Sequence, residues 1–153
     1  MRYLLIDRIT EVNGRLIRGI RNVAMSEDFL SFHFPENPVM PGALLLEAMV
    51  QLAGWLEAES SRFNHWILLR RVRRCRYYGF AQPGDQVSLE VTCLPSTDLN
   101  VRIYKGIGTD NGKKLIHAEF EGTLQRLSAL HDPSRARDLF ELLKRDRGLH
   151  PDG

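Results

Sequence analysis

Residues 33–60 read HFPENPVMPG followed without a break by ALLLEAMVQLAGWLEAES. Three prolines stiffen residues 33–42 into a loop, whereas residues 42–60 contain no proline. From Gly42 to Leu56 the polar side chains are Glu47 and Gln51, which lie four residues apart and so share one side of a helix. A helix that is apolar nearly all round is buried. We therefore predict one long central helix from Gly42 to about Ser60.

The remaining sequence alternates between apolar and polar residues, which is typical of half-buried antiparallel strands. Asn13-Gly14 and Asn111-Gly112 indicate hairpin turns, and at Asn13-Gly14 we expect positive φ at both positions. The predicted inward residues are Val87, Leu89, Val91 and Cys93, then Leu99, Val101 and Ile103, then Ile116, Ala118 and Phe120.

A second helix is predicted near the carboxyl end of the sequence. Asp132 can cap the start of this helix, Pro133 suits its first turn, and Gly148 can end it. An apolar stripe at helical spacing contains Ala136, Leu139, Phe140 and Leu143. We expect residues 1–127 to form the main domain and residues 128–153 a helical extension packed on it.

These elements together predict an α+β fold in which a curved antiparallel sheet wraps around the central helix, with the second helix added at the end. One helix cannot cover a whole sheet face. We therefore expect a dimer that joins two sheets.

Composition narrows the class of protein. The chain has 153 residues, 43% hydrophobic residues and a formal net charge of +2, which are ordinary values for a globular domain and give little support to nucleic-acid binding. Neither the cysteines (Cys75 and Cys93) nor the other histidines (His65, His117, His131 and His150) have metal-ligand spacing. With no apolar run of membrane-spanning length and an early charge at Arg2, we expect a reduced, cytoplasmic protein.

His33 and Glu47 are the candidate reactive pair. Histidine titrates near neutrality and can act as a base. A carboxyl group among Leu and Met side chains is costly to bury in its charged form, so its position needs a reason. Each residue also has a simpler interpretation: a loop histidine bonded to backbone, and a glutamate at the edge of a helix.

The motif HFPxxPxxPG, with LEAMVQ at residues 46–51, closely resembles the FabZ-type hot-dog-fold (3R)-hydroxyacyl-[acyl-carrier-protein] dehydratases. Further matching segments are LLIDR at residues 4–8, RNV at 21–23, RY at 76–77 and PGDQV at 83–87. The resemblance covers residues 3–126. It departs from the family at Phe32 and Glu36, where glycine is usual, and in lacking the segment that family members usually carry ahead of Tyr3.

The resemblance implies dehydration of (3R)-3-hydroxyacyl-ACP to trans-2-enoyl-ACP in fatty-acid or related acyl-chain biosynthesis, with no cofactor and no metal. His33 would be the base, and Glu47 the acid or the group that positions the leaving water. Backbone N–H groups of Gly42 and Ala43 would bind the thioester oxygen, with Gly42 leaving room for it. Gln51 would hold Glu47 or a water, although plain helix packing explains it nearly as well.

The resemblance further implies a homodimer or a trimer of dimers. It also implies a site that combines His33 of one protomer with Glu47 of the other. Pairing within one chain remains open. A hot-dog thioesterase and a non-catalytic acyl-ACP-binding subunit are the alternatives to a dehydratase.

An arginine-rich segment between Ser60 and Gly84 contains no acidic residue. Its candidates for docking the acidic acyl carrier protein are Arg70, Arg71, Arg73, Arg74 and Arg76. The alternative is an edge strand that charge protects from pairing with other sheets. Simple alternation puts these arginines on both faces of a strand, which argues against a single patch.

Overall fold

The computed structural model describes residues 4–145. Its strands are β1 (Arg8–Asn13), β2 (Leu16–Asn22), β3 (His65–Tyr77), β4 (Gln86–Leu94), β5 (Val101–Asp110) and β6 (Lys113–Arg126). The helices are α1 (Gly42–Ser60) and α2 (Pro133–Lys144), and short 3-10 turns cover Asp28–Ser31 and Leu127–Ala129. No helix within this part of the chain is long and apolar enough to cross a membrane.

All six strands form one antiparallel sheet in the order β1-β2-β4-β5-β6-β3, so β1 and β3 are its edges. Helix α1 packs against β2, β3, β4, β5 and β6. Leu45, Met49, Leu52 and Leu56, on its sheet side, are at most 1% exposed. The predictions of an α+β fold and of a central buried helix over Gly42–Ser60 are confirmed.

Two of the predicted strand patterns are confirmed by burial. Val87, Leu89 and Val91 on β4 are buried, with Cys93 half-buried at the end of that strand. Ile116, Ala118 and Phe120 on β6 are fully buried.

The prediction for β5 was wrong. Leu99 lies before the strand and is 81% exposed, while Val101 and Ile103 are only half-buried. The buried positions are Tyr104, Gly106 and Gly108. A Cβ on Gly106 would lie 2.6 Å from Met49 Sδ, so glycine there lets α1 lie against the sheet. Glycine has no side chain to signal this in a hydropathy pattern.

The two hairpin turns differ. Asn111 and Gly112 have φ of 47° and 78°, the left-handed pair that a tight hairpin favours. In the first hairpin Asn13 pairs with Leu16, so the central residues are Gly14 and Arg15. The left-handed conformation expected at Asn13 and Gly14 is not adopted.

Helix α2 begins as predicted. The Asp132 carboxylate accepts hydrogen bonds from Ser134 N and Oγ, both at 2.9 Å, and these bonds lower the pKa of Asp132. The helix ends at Lys144, and Gly148 lies outside the described residues. Phe140 packs against Trp55 of α1 and against Phe63, with ring centroids 5.7 and 5.5 Å apart. The described part of the extension therefore shares the core of the main domain.

A buried polar pair also lies inside the fold. The Tyr104 hydroxyl donates to Glu57 Oε1 at 2.6 Å, and Arg102 Nε lies 3.4 Å from the same oxygen. Burial, followed by the Glu57 charge, raises the pKa of the Tyr104 phenol, which therefore stays protonated. Glu57 lies one residue beyond the apolar segment examined in the sequence and was not singled out there.

Candidate active site

His33 lies in the loop between β2 and α1, and this loop is held at several points. Val39 N donates to His33 O at 2.8 Å, and Met40 N donates to Ala81 O at 2.8 Å. Phe34 and Asn37 exchange two backbone hydrogen bonds of 3.1 Å, which closes the turn that contains Pro35. Val39 and Met40 are buried. The histidine is therefore carried on a well-supported loop.

The imidazole of His33 has a defined orientation. Its Nδ1 lies 2.9 Å from Val39 O, and the Phe34 ring stacks on it with centroids 4.4 Å apart. A carbonyl oxygen can only accept, so Nδ1 carries the proton in the neutral ring. Nε2 is then left with its lone pair, which is the form that a general base requires.

Glu47 lies in the second turn of α1 and is half-buried. Leu5 N donates to Gln51 Oε1 at 3.0 Å, so the Gln51 amide group must point the other way. Gln51 Nε2 donates to Glu47 Oε1 at 3.2 Å. Because Oε1 is occupied as an acceptor, a proton on this carboxyl group is best placed on Oε2.

The amino end of α1 presents unpaired donors. Leu44 N donates to Pro41 O, and Pro41 supplies no side-chain cap. Within residues 4–145, neither Gly42 N–H nor Ala43 N–H has an acceptor. These groups lie at the positive end of the helix dipole and can bind a partial negative charge.

Glycine at position 42 lets the Tyr77 ring lie against the start of α1. A Cβ on Gly42 would lie 2.5 Å from Cε1 of Tyr77. Burial is the main cause that raises the pKa of Tyr77, and the phenol stays neutral. Tyr77 was noted in the sequence only as part of a family motif, and nothing there indicated its contact with the helix.

His33 and Glu47 are placed on different elements. In the described part of the chain no hydrogen bond joins the two side chains. Each is oriented separately, His33 by Val39 O and Glu47 by Gln51. One chain thus carries both candidate residues without linking their side chains directly.

The five arginines lie on the edge strand β3, and all are exposed. Two bulges leave Arg70 and Arg73 without partners on β6. Each bulge resets the alternation. As a result, the positions opposite Arg71, Arg74 and Arg76 on β6 are Glu121, Glu119 and His117 respectively.

Cross-strand partners share a face, so these three arginines lie on one face of the sheet, opposite to the face of Ala118 and Phe120. Arg73 joins them by an ion pair with Glu121 Oε1 at 2.7 Å. The expectation that simple alternation separates the arginines was therefore wrong for these four. Burial, followed by Lys105 and Lys114, lowers the pKa of His117, which adds no positive charge to the face at neutral pH.

The comparisons with known proteins agree with this architecture. A hot-dog-like protein from Thermanaerovibrio acidaminovorans superposes with a TM-score of 0.62 at 20% identity, over 86% of this chain and 93% of that one. The dehydratase heterocomplex ApeI:P from Xenorhabdus doucetiae gives a TM-score of 0.63 at 15% identity, over 94% of this chain and 91% of that one. The protein has the hot-dog fold.

Sequence comparison narrows the class. The sequence model of the FabA-like domain matches residues 1–119. The 3-hydroxyacyl-[acyl-carrier-protein] dehydratase FabZ of Geobacillus thermodenitrificans is 38% identical over 120 residues, which cover 76% of this chain and 81% of the relative. The chain belongs to the FabA-like family and is a relative of the FabZ dehydratases.

Proposed function

We propose that this protein dehydrates (3R)-3-hydroxyacyl-ACP to trans-2-enoyl-ACP in fatty-acid or related acyl-chain biosynthesis, as a hydro-lyase without a cofactor. The observation that carries the proposal is the hydrogen bond from His33 Nδ1 to Val39 O, which leaves Nε2 as a base. The 38% identity to a FabZ dehydratase supports the same reaction. Cys75 and Cys93 are both free, which fits the cytoplasmic location included in this proposal.

The reaction balances with groups that the chain supplies. His33 Nε2 takes the C2 proton, the electron pair of that bond forms the C2–C3 double bond, and the C3–O bond breaks. The leaving hydroxyl takes the proton from Glu47 Oε2 and departs as water. Charge that develops on the thioester oxygen is stabilised by the N–H groups of Gly42 and Ala43. Transfer of the proton from His33 back to Glu47 through solvent restores both groups.

A homodimer would complete the site, with His33 of one protomer opposite Glu47 of the other. Support comes from the edge strand β3, where Leu68, Leu69 and Val72 are 46%, 42% and 39% exposed. These three apolar side chains, which β3 carries beside its arginines, would be buried if the strand paired with a second sheet. Assembly of such dimers into a trimer of dimers is part of the same proposal.

The basic face formed by Arg71, Arg73, Arg74 and Arg76 is the proposed docking surface for acyl carrier protein, with Arg70 next to it. Within the described chain Arg71, Arg74 and Arg76 have no acidic partner in an ion pair, so their charge is available to an acidic protein. The edge position of β3 also fits the simpler role of protecting that edge.

We expect Arg74→Glu to raise KM for an ACP-bound substrate about tenfold by weakening electrostatic attraction. The same acyl group on pantetheine, which lacks the acidic protein, should be turned over as before. The matched control is Arg135→Glu, an equal charge change at an exposed position of α2. Equal effects of both variants, or an equal effect on both substrates, would refute the docking surface.

The test of function is hydration of trans-2-butenoyl-ACP, followed by the loss of enoyl-thioester absorbance. Turnover by the wild-type protein supports the dehydratase, since hydration is the reverse reaction. Release of free thiol instead would identify a thioesterase. Binding of acyl-ACP with no turnover at any chain length would identify a non-catalytic acyl-binding subunit.

A further inference from the structure

Arg21 is a buried arginine on β2 that the mechanism above does not use. The residue is 4% exposed. Its Nη2 forms an ion pair with Glu27, and its Nη1 lies 3.7 Å from Asp7 Oδ2. Within residues 4–145 its Nε has no hydrogen-bond partner. Burial of a charged group with an unpaired N–H is costly, so an arginine at this position needs a reason other than stability.

The guanidinium also contacts the peptide group that joins Leu4 to Leu5. Arg21 Nη1 donates to Leu4 O at 3.5 Å. On the other side of the same peptide group, Leu5 N donates to Gln51 Oε1 at 3.0 Å. A peptide group is planar, so a contact that fixes its oxygen also fixes the direction of its N–H. The bond to Leu4 O is long, but its donor is charged and buried, and both conditions strengthen the attraction.

Other contacts hold this segment in place without fixing the rotation of that peptide group. Leu5 and Ile6 bury their side chains, and Asp7 N donates to Ile20 O at 2.9 Å. In the described part of the chain, however, neither Leu4 O nor Leu5 N has a backbone partner, because the segment lies ahead of β1. The orientation of the peptide group therefore depends on the two side chains that bind it.

The contacts continue from this peptide group to the candidate acid. Gln51 Nε2 donates to Glu47 Oε1 at 3.2 Å. A chain of hydrogen bonds thus runs from the buried charge of Arg21, through one backbone amide and one side-chain amide, to the carboxyl group of Glu47. Each amide accepts at its oxygen and donates at its nitrogen, and hydrogen bonds arranged in this way polarise and strengthen one another.

We propose that Arg21 is a positioning residue that fixes Gln51, and through it the carboxyl group of Glu47, for the chemical step. The inference rests on the proposed function, in which Glu47 Oε2 supplies the proton to the leaving hydroxyl. Gln51 holds Oε1, which leaves Oε2 directed to the substrate. A misplaced proton donor slows the chemical step without weakening the binding of the substrate, so the effect of Arg21 belongs to kcat and not to KM.

The first experiment measures kcat and KM for hydration of trans-2-butenoyl-ACP. Arg21→Met removes the guanidinium, and its acidic partners Asp7 and Glu27, with side chains 40% and 24% exposed, can then be hydrated. This variant should lower kcat about tenfold and leave KM within about twofold. The matched control is Arg18→Met, an equal loss of charge at an exposed position of the same strand, and it should change neither constant.

A double-mutant cycle separates positioning from a merely structural role. Gln51→Leu removes the link to Glu47, so in that background Arg21→Met should lower kcat by no more than about twofold. An equal loss in both backgrounds would overturn the proposal, as would a rise in KM with kcat unchanged. If Arg21→Met does not fold, Arg21→Lys takes its place with the same expected pattern. It keeps the charge but has a single nitrogen where arginine binds Leu4 O and Glu27 from two.

Hydrogen exchange at the Leu5 amide tests the contact without catalysis. Loss of the guanidinium frees the peptide group, so the Leu5 N–H should exchange about tenfold faster in Arg21→Met than in the wild-type protein, as followed by NMR. Arg18→Met should keep the wild-type rate. If the wild-type protein hydrates no enoyl thioester, the proposed function fails, and this measurement still decides the role of Arg21. Faster exchange in Arg21→Met alone supports the hydrogen-bond chain, and an unchanged rate refutes it.

Discussion

Replacing His33 with alanine should lower kcat for hydration or dehydration about 10³-fold, because the base that takes the C2 proton is removed. The loss should appear with ACP-bound and pantetheine-bound substrates alike, since proton removal does not depend on the carrier. The measurement is the rate of change of enoyl-thioester absorbance at saturating substrate.

His33→Ala also removes the hydrogen bond from Nδ1 to Val39 O, which helps to hold the loop. The second variant is therefore His33→Asn, whose side-chain amide can still donate to that carbonyl but cannot act as a base at neutral pH. Both variants should be inactive, and His33→Asn should keep the thermal unfolding of the wild-type protein. His65→Ala, at an exposed histidine, is the control and should keep wild-type activity. An active His33→Asn protein would show that His33 serves the loop and not the chemistry.

Glu47→Gln should lower kcat between about 10²- and 10³-fold while the fold is retained. The substituted amide oxygen can still accept from Gln51 Nε2, so the local hydrogen bond survives. What is lost is the acidic proton that the leaving hydroxyl needs. Glu59→Gln, on the same helix and also half-buried, is the matched control and should have little effect. Wild-type activity in Glu47→Gln would remove the carboxyl group from the mechanism.

Mixing the two inactive variants tests whether the site spans two protomers. In a mixed dimer of His33→Ala and Glu47→Gln chains, a cross-chain arrangement leaves one site with both native residues. A same-chain arrangement leaves none. With random pairing, half of the dimers are mixed and half of their sites are intact, so about a quarter of wild-type activity should return. No recovery from a mixture shown to exchange subunits would mean that His33 and Glu47 act within one chain.

Local patterns in the sequence were sufficient for the elements whose signal is periodic. The apolar run over residues 42–60 predicted α1 with its observed bounds, because a helix buried on most sides must be apolar on most sides. Alternation predicted the buried faces of β4 and β6, because successive side chains of a strand point to opposite faces of the sheet and only one face is buried. The loop position of His33 followed from the prolines around it, and the four-residue spacing of Glu47 and Gln51 placed them within hydrogen-bonding reach.

Other features depended on residues that are distant in sequence. The inward face of β5 is set by Gly106 and its contact with Met49, and glycine leaves no trace in a hydropathy pattern. The shared face of Arg71, Arg74 and Arg76 arises from two bulges, which are defined only by pairing with β6. The need for glycine at position 42 comes from the ring of Tyr77, 35 positions further along the chain.

The sequence by itself therefore determined the fold class, the central helix and the identity of the candidate pair, since each is encoded by residues close together in the chain. Only the tertiary structure decided that His33 Nδ1 faces Val39 O and that Leu5 N orients Gln51. Each of these depends on a specific contact between side chain and backbone, or between elements. Such contacts exist only once the chain has folded.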